Sequence, residues 1–138
     1  MDSLQRSTVS LLIDGDDLDP SEITMLLRSE PSLGVVKGDL FVTSLGKEIR
    51  AKTGKWQLNE EWERPSDINR QVFDLLKNLT ENLDAWSIIT RQFHCYISVG
   101  GYLNDWTGGF TMKASTAKLL SDRGLAIDFD LYAPDASD

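Results

Sequence analysis

His94 and Cys95 are the chain's single histidine and single cysteine, so imidazole or thiol chemistry would have to run through these two neighbours. Their setting opposes it. Phe93–Gly100 alternates apolar and polar residues, the pattern of a half-buried strand whose successive side chains point to opposite faces. Cys95 then faces away from His94, which spoils a Cys–His dyad. Ser98 shares the face of His94, but four residues of strand hold them about 13 Å apart, against the ~3 Å hydrogen bond by which a base activates a hydroxyl. Asp128 and Asp130 share one face of a second alternating run, Leu125–Tyr132, about 6.6 Å apart. Two carboxylates at such a spacing can serve as acid and base on a glycoside, yet alternation creates such pairs on any wetted sheet face. No residue is assigned a catalytic role.

A third cluster, Asp14, Asp16, Asp17, Asp19 and Glu22, has calcium-loop composition but not its spacing. Leu18 and Asp19 stand where an EF-hand loop needs a ligand and a glycine, and Met25 replaces the bidentate glutamate. A turn followed by a helix cap explains these acids, because carboxylates are favoured at a helix N-terminus. With one Cys and one His, a cysteine-based zinc site cannot form. No metal and no cofactor is expected. Gly100-Gly101 and Gly108-Gly109 fit no phosphate-loop spacing and read as turn glycines.

The elements that would position these residues follow from periodicity. Ser7–Ile13 reads as a strand, and Asp19, Pro20 and Glu22 mark the start of a helix that Pro31 closes. Leu33–Val36 and Lys55–Asn59 read as strands, Lys37-Gly38-Asp39 as a turn. Residues 39–54 fit either a loop or a weak strand. Ile68, Val72, Leu75, Leu76, Leu79 and Leu83 recur at helical spacing, predicting one long helix from Ser66 that Trp86 and Ile89 could extend. A hairpin connection with Tyr102 and Trp106 then links 93–100 to 109–113. Ser115 or Thr116 caps a third helix, which exits through Gly124, and Leu125, Ile127, Phe129 and Leu131 form the apolar side of the last strand. The fold class is α+β: a single two-layer domain over residues 1–138 with a mainly antiparallel sheet and about three helices.

Charge narrows the partners. Twenty-two acids against fourteen bases give a net charge of −8, which disfavours nucleic-acid phosphates and anionic membranes. The one basic stretch, residues 31–58 at net +3, lies between acidic flanks of −5 and −6. The chain has no apolar run of membrane-spanning length and no secretory leader pattern, and its lone thiol excludes an internal disulfide. A cytoplasmic protein is expected.

Five segments in order resemble the bacterial domain of unknown function 4279 family: Ile13-Asp14-Gly15-Asp16-Asp17-Leu18-Asp19-Pro20, Lys37-Gly38-Asp39, Gly54-Lys55-Trp56-Gln57-Leu58, Gly108-Gly109-Phe110, and Ile127-Asp128-Phe129-Asp130-Leu131-Tyr132. The resemblance implies a small α+β domain and carries no activity with it; the stretch between Asp39 and Gly54 lies outside it.

Of the four tryptophans, Trp56 and Trp86 sit in apolar patterns and belong to the core. Trp62 lies among acids, and Trp106 in a glycine-flanked loop with Tyr102, a setting for an interface or for the edge of a core. If both alternating strands join one sheet, then His94, Tyr96, Ser98, Asp128 and Asp130 share its polar side, with Tyr102 and Trp106 at one end. That face is the candidate binding surface. The expected function is a non-enzymatic, cytosolic protein-binding module, such as an immunity-type or accessory protein for a basic partner, acting as monomer or homodimer. The alternatives are a small hydrolase or ligand-binding enzyme using the same face, and a structural homodimer joined through an edge strand.

Overall fold

The computed structural model describes residues 4–134. Among them are seven strands and four helices: β1 (Arg6–Gly15), α1 (Pro20–Leu27), β2 (Leu33–Val35), β3 (Leu40–Val42), β4 (Glu48–Arg50), β5 (Gly54–Asn59), α2 (Ile68–Lys77), α3 (Leu83–Gln92), β6 (His94–Tyr102), α4 (Ala114–Arg123) and β7 (Ala126–Tyr132). The α+β class stands. A five-stranded sheet in the order β2-β5-β1-β6-β7 is antiparallel except for its last pair, and β3 and β4 form a separate antiparallel hairpin.

All four helices cover one face of the large sheet. Val9, Leu11 and Ile13 of β1, Trp56 of β5, and Cys95, Ile97 and Val99 of β6 project into one core with Ile23, Leu27, Val72, Leu75, Leu76, Trp86, Ile89 and Leu120 from the helices. Strand alternation makes this possible, since each central strand supplies every second residue to the apolar side. A buried polar link pins α2 across β1. The Ser7 hydroxyl donates to Gln71 Oε1 at 2.5 Å and lies 2.7 Å from Ser66 Oγ, while Gln71 Nε2 donates to the Ser7 carbonyl at 2.9 Å.

Several expectations need correction. The long helix is two helices. Its stripe runs on to Leu79, which is buried, but Leu83 is exposed. The break lies between them: Asn82 caps α3 by accepting from Asp84 N–H at 3.0 Å, and Trp86 Nε1 donates to the Thr80 carbonyl at 2.8 Å. The preceding cap is Asp67, whose side chain accepts from Arg70 N–H, while Ser66 turns inward to Ser7.

Residues 109–113 are not a strand and no hairpin follows β6. The chain leaves β6 at Tyr102, passes through a loop into α4 and returns as β7, parallel to β6. Parallel neighbours need such a crossover. Helix α4 begins at Ala114 after Lys113, with neither Ser115 nor Thr116 as cap. The cap comes from α2: Asn69 Oδ1 accepts from Lys113 N–H at 2.9 Å and from the Thr116 hydroxyl at 2.6 Å.

Strand β7 lies at the sheet edge, so its apolar side is only partly covered; Phe129 and Leu131 are each 42% exposed. Finally, α1 ends before Pro31. It stops at Leu27, and Arg28, with φ 61, closes it through a bond from its N–H to the Thr24 carbonyl. The undetermined segment 39–54 holds the β3–β4 hairpin, turning through Gly46 at φ 81. A left-handed φ of this kind suits glycine because it lacks a Cβ.

Candidate functional site

The face of the sheet opposite the helices carries the even-numbered residues of β1, β6 and β7. Residues opposed across a ladder share a face, so the register builds rows: Asn59, Ser10, Ser98 and Asp128; Gln57, Leu12, Tyr96 and Ala126; Lys55, Asp14 and His94; Thr8, Gly100 and Asp130; Arg6, Tyr102 and Tyr132. His94, Tyr96, Ser98, Tyr102, Asp128 and Asp130 are therefore brought onto one surface. Trp106 is not placed with them by any ring contact; it sits in the loop after β6 and is 78% exposed.

Two structures border this surface. At the β2–β5 end the β3–β4 hairpin folds over it, leaving a cavity of about 450 Å³ lined by Leu33, Phe41, Ile49, Lys55 and Gln57. Lys55 Nζ lies 5.9 Å from the centre of the Phe41 ring. Beyond the end of β5, residues 60–63 run on along the same side of β1. Glu60 N–H donates to the Val9 carbonyl, and Ser7 and Glu63 exchange backbone bonds. This segment lays Trp62 across the face beside Gly100, where an added Cβ would lie 3.6 Å from the indole. Arg6 lies against both rings, its guanidinium carbon 5.2 Å from the Trp62 centre and 4.4 Å from that of Tyr102, while the rings are 5.7 Å apart. Tyr132 extends the group at 5.2 Å from Tyr102.

Tyr96 is held above the usual phenol range by burial, then by the carboxylates of Asp14 and Asp128. Tyr132 is raised mainly by the hydrogen bond its hydroxyl donates to Asp130 and then by that carboxylate's charge. Both phenols stay protonated at neutral pH, so neither offers a base. His94 stacks on Tyr96 at 4.5 Å between ring centres, and its Nδ1 lies 3.6 Å from Asp14 Oδ2, too far for a hydrogen bond. Cys95, buried beneath, is pushed up to about 12 by burial first and the Asp14 charge second; it is a core thiol.

The acids after β1 have local partners. Asp19 caps α1 by accepting from Ser21 N–H at 3.0 Å. Asp16 is held below the usual carboxylate range by a hydrogen bond from Thr53 and by Lys37, whose Nζ is 3.3 Å away. Among the described residues no group of three or more His, Cys, Asp or Glu side chains is arranged to hold a metal ion, and no helix is long and apolar enough to cross a membrane.

Residues 5–134 match the family described as Domain of unknown function (DUF4279). The chain belongs to that family. No curated protein and no solved structure matches it. Family membership carries no activity with it.

Arg6, Trp62 and Tyr132 join the face without having been singled out as its members. The signal for Tyr132 was present, since it continues the Asp128, Asp130 alternation, and Arg6 continues that of β1. For Trp62 there was none, because its position depends on backbone bonds to β1 that no local pattern encodes.

Proposed function

We propose that the chain is a non-enzymatic module that binds a basic protein partner through the open face of its sheet, as an immunity-type or accessory protein of the bacterial cytoplasm would. The observation that carries this is the composition of the uncovered end of the face. The carboxylates of Asp128 and Asp130 stand on it, Arg6, Trp62, Tyr102 and Tyr132 pack together at its rim, and Asp14 lies farther along the same face between Lys55 and His94. Aromatic and arginine side chains are the groups that anchor protein interfaces, and a field of one sign speeds and orients encounter with a partner of the other. The hydrolase reading finds less support. Ser98 and His94 lie four residues apart along one strand, about 13 Å, and the phenols beside the acids are held protonated.

The test compares capture from a lysate of the chain's own host by the parent protein and by the Asp14→Asn, Asp128→Asn, Asp130→Asn variant, both immobilised. A basic protein retained by the parent, eluted by salt and missing from the variant is the expected outcome. The same set of proteins on both surfaces would refute the proposal.

A further inference from the structure

Among the described residues no strand pairs with the outer edge of β7, and the two sides of that edge are chemically different. The Leu103 N–H donates to the Tyr132 carbonyl at 2.9 Å, continuing the β6–β7 ladder. Backbone groups of a strand alternate sides residue by residue, so Asp128, Asp130 and Tyr132 direct theirs toward β6, while Ile127, Phe129 and Leu131 direct theirs outward. An unpaired row of this kind is a template for another strand. On the helix side the edge is apolar: Phe129 and Leu131 are half-exposed, and a groove of about 460 Å³ lined by Met112, Ala117, Leu120 and Ile127 runs between α4 and the strand. On the open side it is acidic, with Asp128 and Asp130.

The charges decide what can pair. A second copy joined antiparallel about Phe129 would set Asp128 opposite Asp130 twice, and like charges directly opposed across a ladder are destabilising. A segment with lysine or arginine at alternate positions would instead face both carboxylates at cross-strand distance, about 5 Å between Cβ atoms. Its intervening apolar residues would lie beside Ile127, Phe129 and Leu131, with the groove at the Ile127 end. We infer that β7 docks an extended segment of a partner protein in which basic and apolar residues alternate, adding a sixth strand to the sheet. This mode of recognition takes affinity from main-chain bonds and selectivity from alternate side chains. It deepens the proposed function, resting on a basic protein partner and naming the strand that receives it.

The probe is a seven-residue peptide, Val-Lys-Val-Lys-Val-Lys-Val with blocked ends, titrated into the full chain and followed by amide hydrogen exchange and fluorescence anisotropy. Binding should slow exchange at Ile127, Phe129 and Leu131 by at least tenfold. Glutamate in place of lysine should abolish binding, and Asp128→Asn with Asp130→Asn should weaken it tenfold or more. N-methylation of one alternate set of peptide residues should abolish binding and that of the other set leave it intact, a control that leaves the protein unaltered. Equal tolerance of both N-methylated peptides, or binding without protection of the three amides, would overturn strand addition. If that binding still shifts the Tyr96 and Ser98 amides, the open-face proposal survives the loss. Absence of binding at millimolar peptide overturns the edge inference alone, because capture by the open face is decided in its own experiment.

Discussion

Replacing Asn69 with alanine should destabilise the chain more than its half-exposed position on α2 suggests. Its Oδ1 accepts from Lys113 N–H and from the Thr116 hydroxyl, and its Nδ2 donates to the Thr111 carbonyl at 2.7 Å. It is thus the N-terminal cap of α4, supplied from another helix. Loss of a side-chain cap costs about 0.5–2 kcal/mol. Thr116 is buried, and stranding a buried hydroxyl adds about 1–3 kcal/mol. The exposed Lys113 N–H can turn to water, so the lower halves of these ranges apply, and the expected loss is about 2–3 kcal/mol. Asn69→Asp keeps the acceptor and puts a negative charge at a helix N-terminus, which is favourable, so it should cost less. Thr116→Val removes the same bond from the other side, and the double variant should show a coupling of about 1 kcal/mol. Urea unfolding followed by the emission of Trp56 and Trp86, both fully buried, compares the parent with the four variants. A loss below about 0.5 kcal/mol for Asn69→Ala, with additive effects in the double variant, would refute the shared cap.

Three further outcomes are expected. Leu76→Ala should cost about 2–5 kcal/mol in the same assay, the range for truncating a fully buried leucine; a loss under half a kcal/mol would mean that the stripe of α2 does not face the core. Gly54→Ala should cost about 2 kcal/mol or more, because its Cβ would lie 2.8 Å from the backbone oxygens of both Gly15 and Leu18, which cannot swing aside as a side chain can; an unchanged denaturation midpoint would contradict this. Cys95 should resist Ellman's reagent in the native chain at pH 8. Its folded pKa, about 12, lies above the ordinary thiol value, so between these the unfolded chain has lost a proton that the native chain retains, and stability falls as pH rises by up to about 1.4 kcal/mol per unit. Cys95→Ser should flatten that slope above pH 9, and an identical slope in both proteins would exclude the thiol as its source.

The parts of the fold that the sequence made legible are those in which a residue's environment follows from its own neighbours. Alternation in β1 and β6 fixed which side chains face the core, and the helical stripe placed Val72, Leu75 and Leu76 there. Periodicity does not record where a helix stops, because Leu79 and Leu83 preserve the spacing across a break made by Asn82 and Thr80. Nor does alternation record strand direction or rank within a sheet. The run 93–100 looks the same whether its neighbour is 109–113 through a hairpin or 125–131 through a crossover over α4, and the half-exposure of Phe129 and Leu131 follows from β7 being last in the order. The cap of α4 was misplaced for a related reason: Ser115 and Thr116 have cap chemistry, but the cap that forms comes from Asn69, more than forty residues away.

The candidate face was legible to the same depth and no further. Evenness of position along β6 and β7 placed His94, Tyr96, Ser98, Asp128 and Asp130 together once both strands belonged to one sheet, and the parallel register aligns Ser98 with Asp128 and Tyr102 with Tyr132. A hairpin would have put the same residues on the same side in a different order, so the polar face was a prediction that survived an error in topology. What differs is the edge. In a hairpin built from residues 93–113, β6 would have found its neighbour at 109–113 and β7 would have had to pair elsewhere. In the crossover β7 takes one of the two edges of the sheet, opposite β2, and its acids stand at the rim beside its outward-directed backbone groups. The placement of Asp128 and Asp130 next to an open ladder is thus a consequence of topology, and on the inferred strand addition it is what would let two otherwise ordinary wet-face carboxylates disfavour a second copy of the strand and favour a basic one.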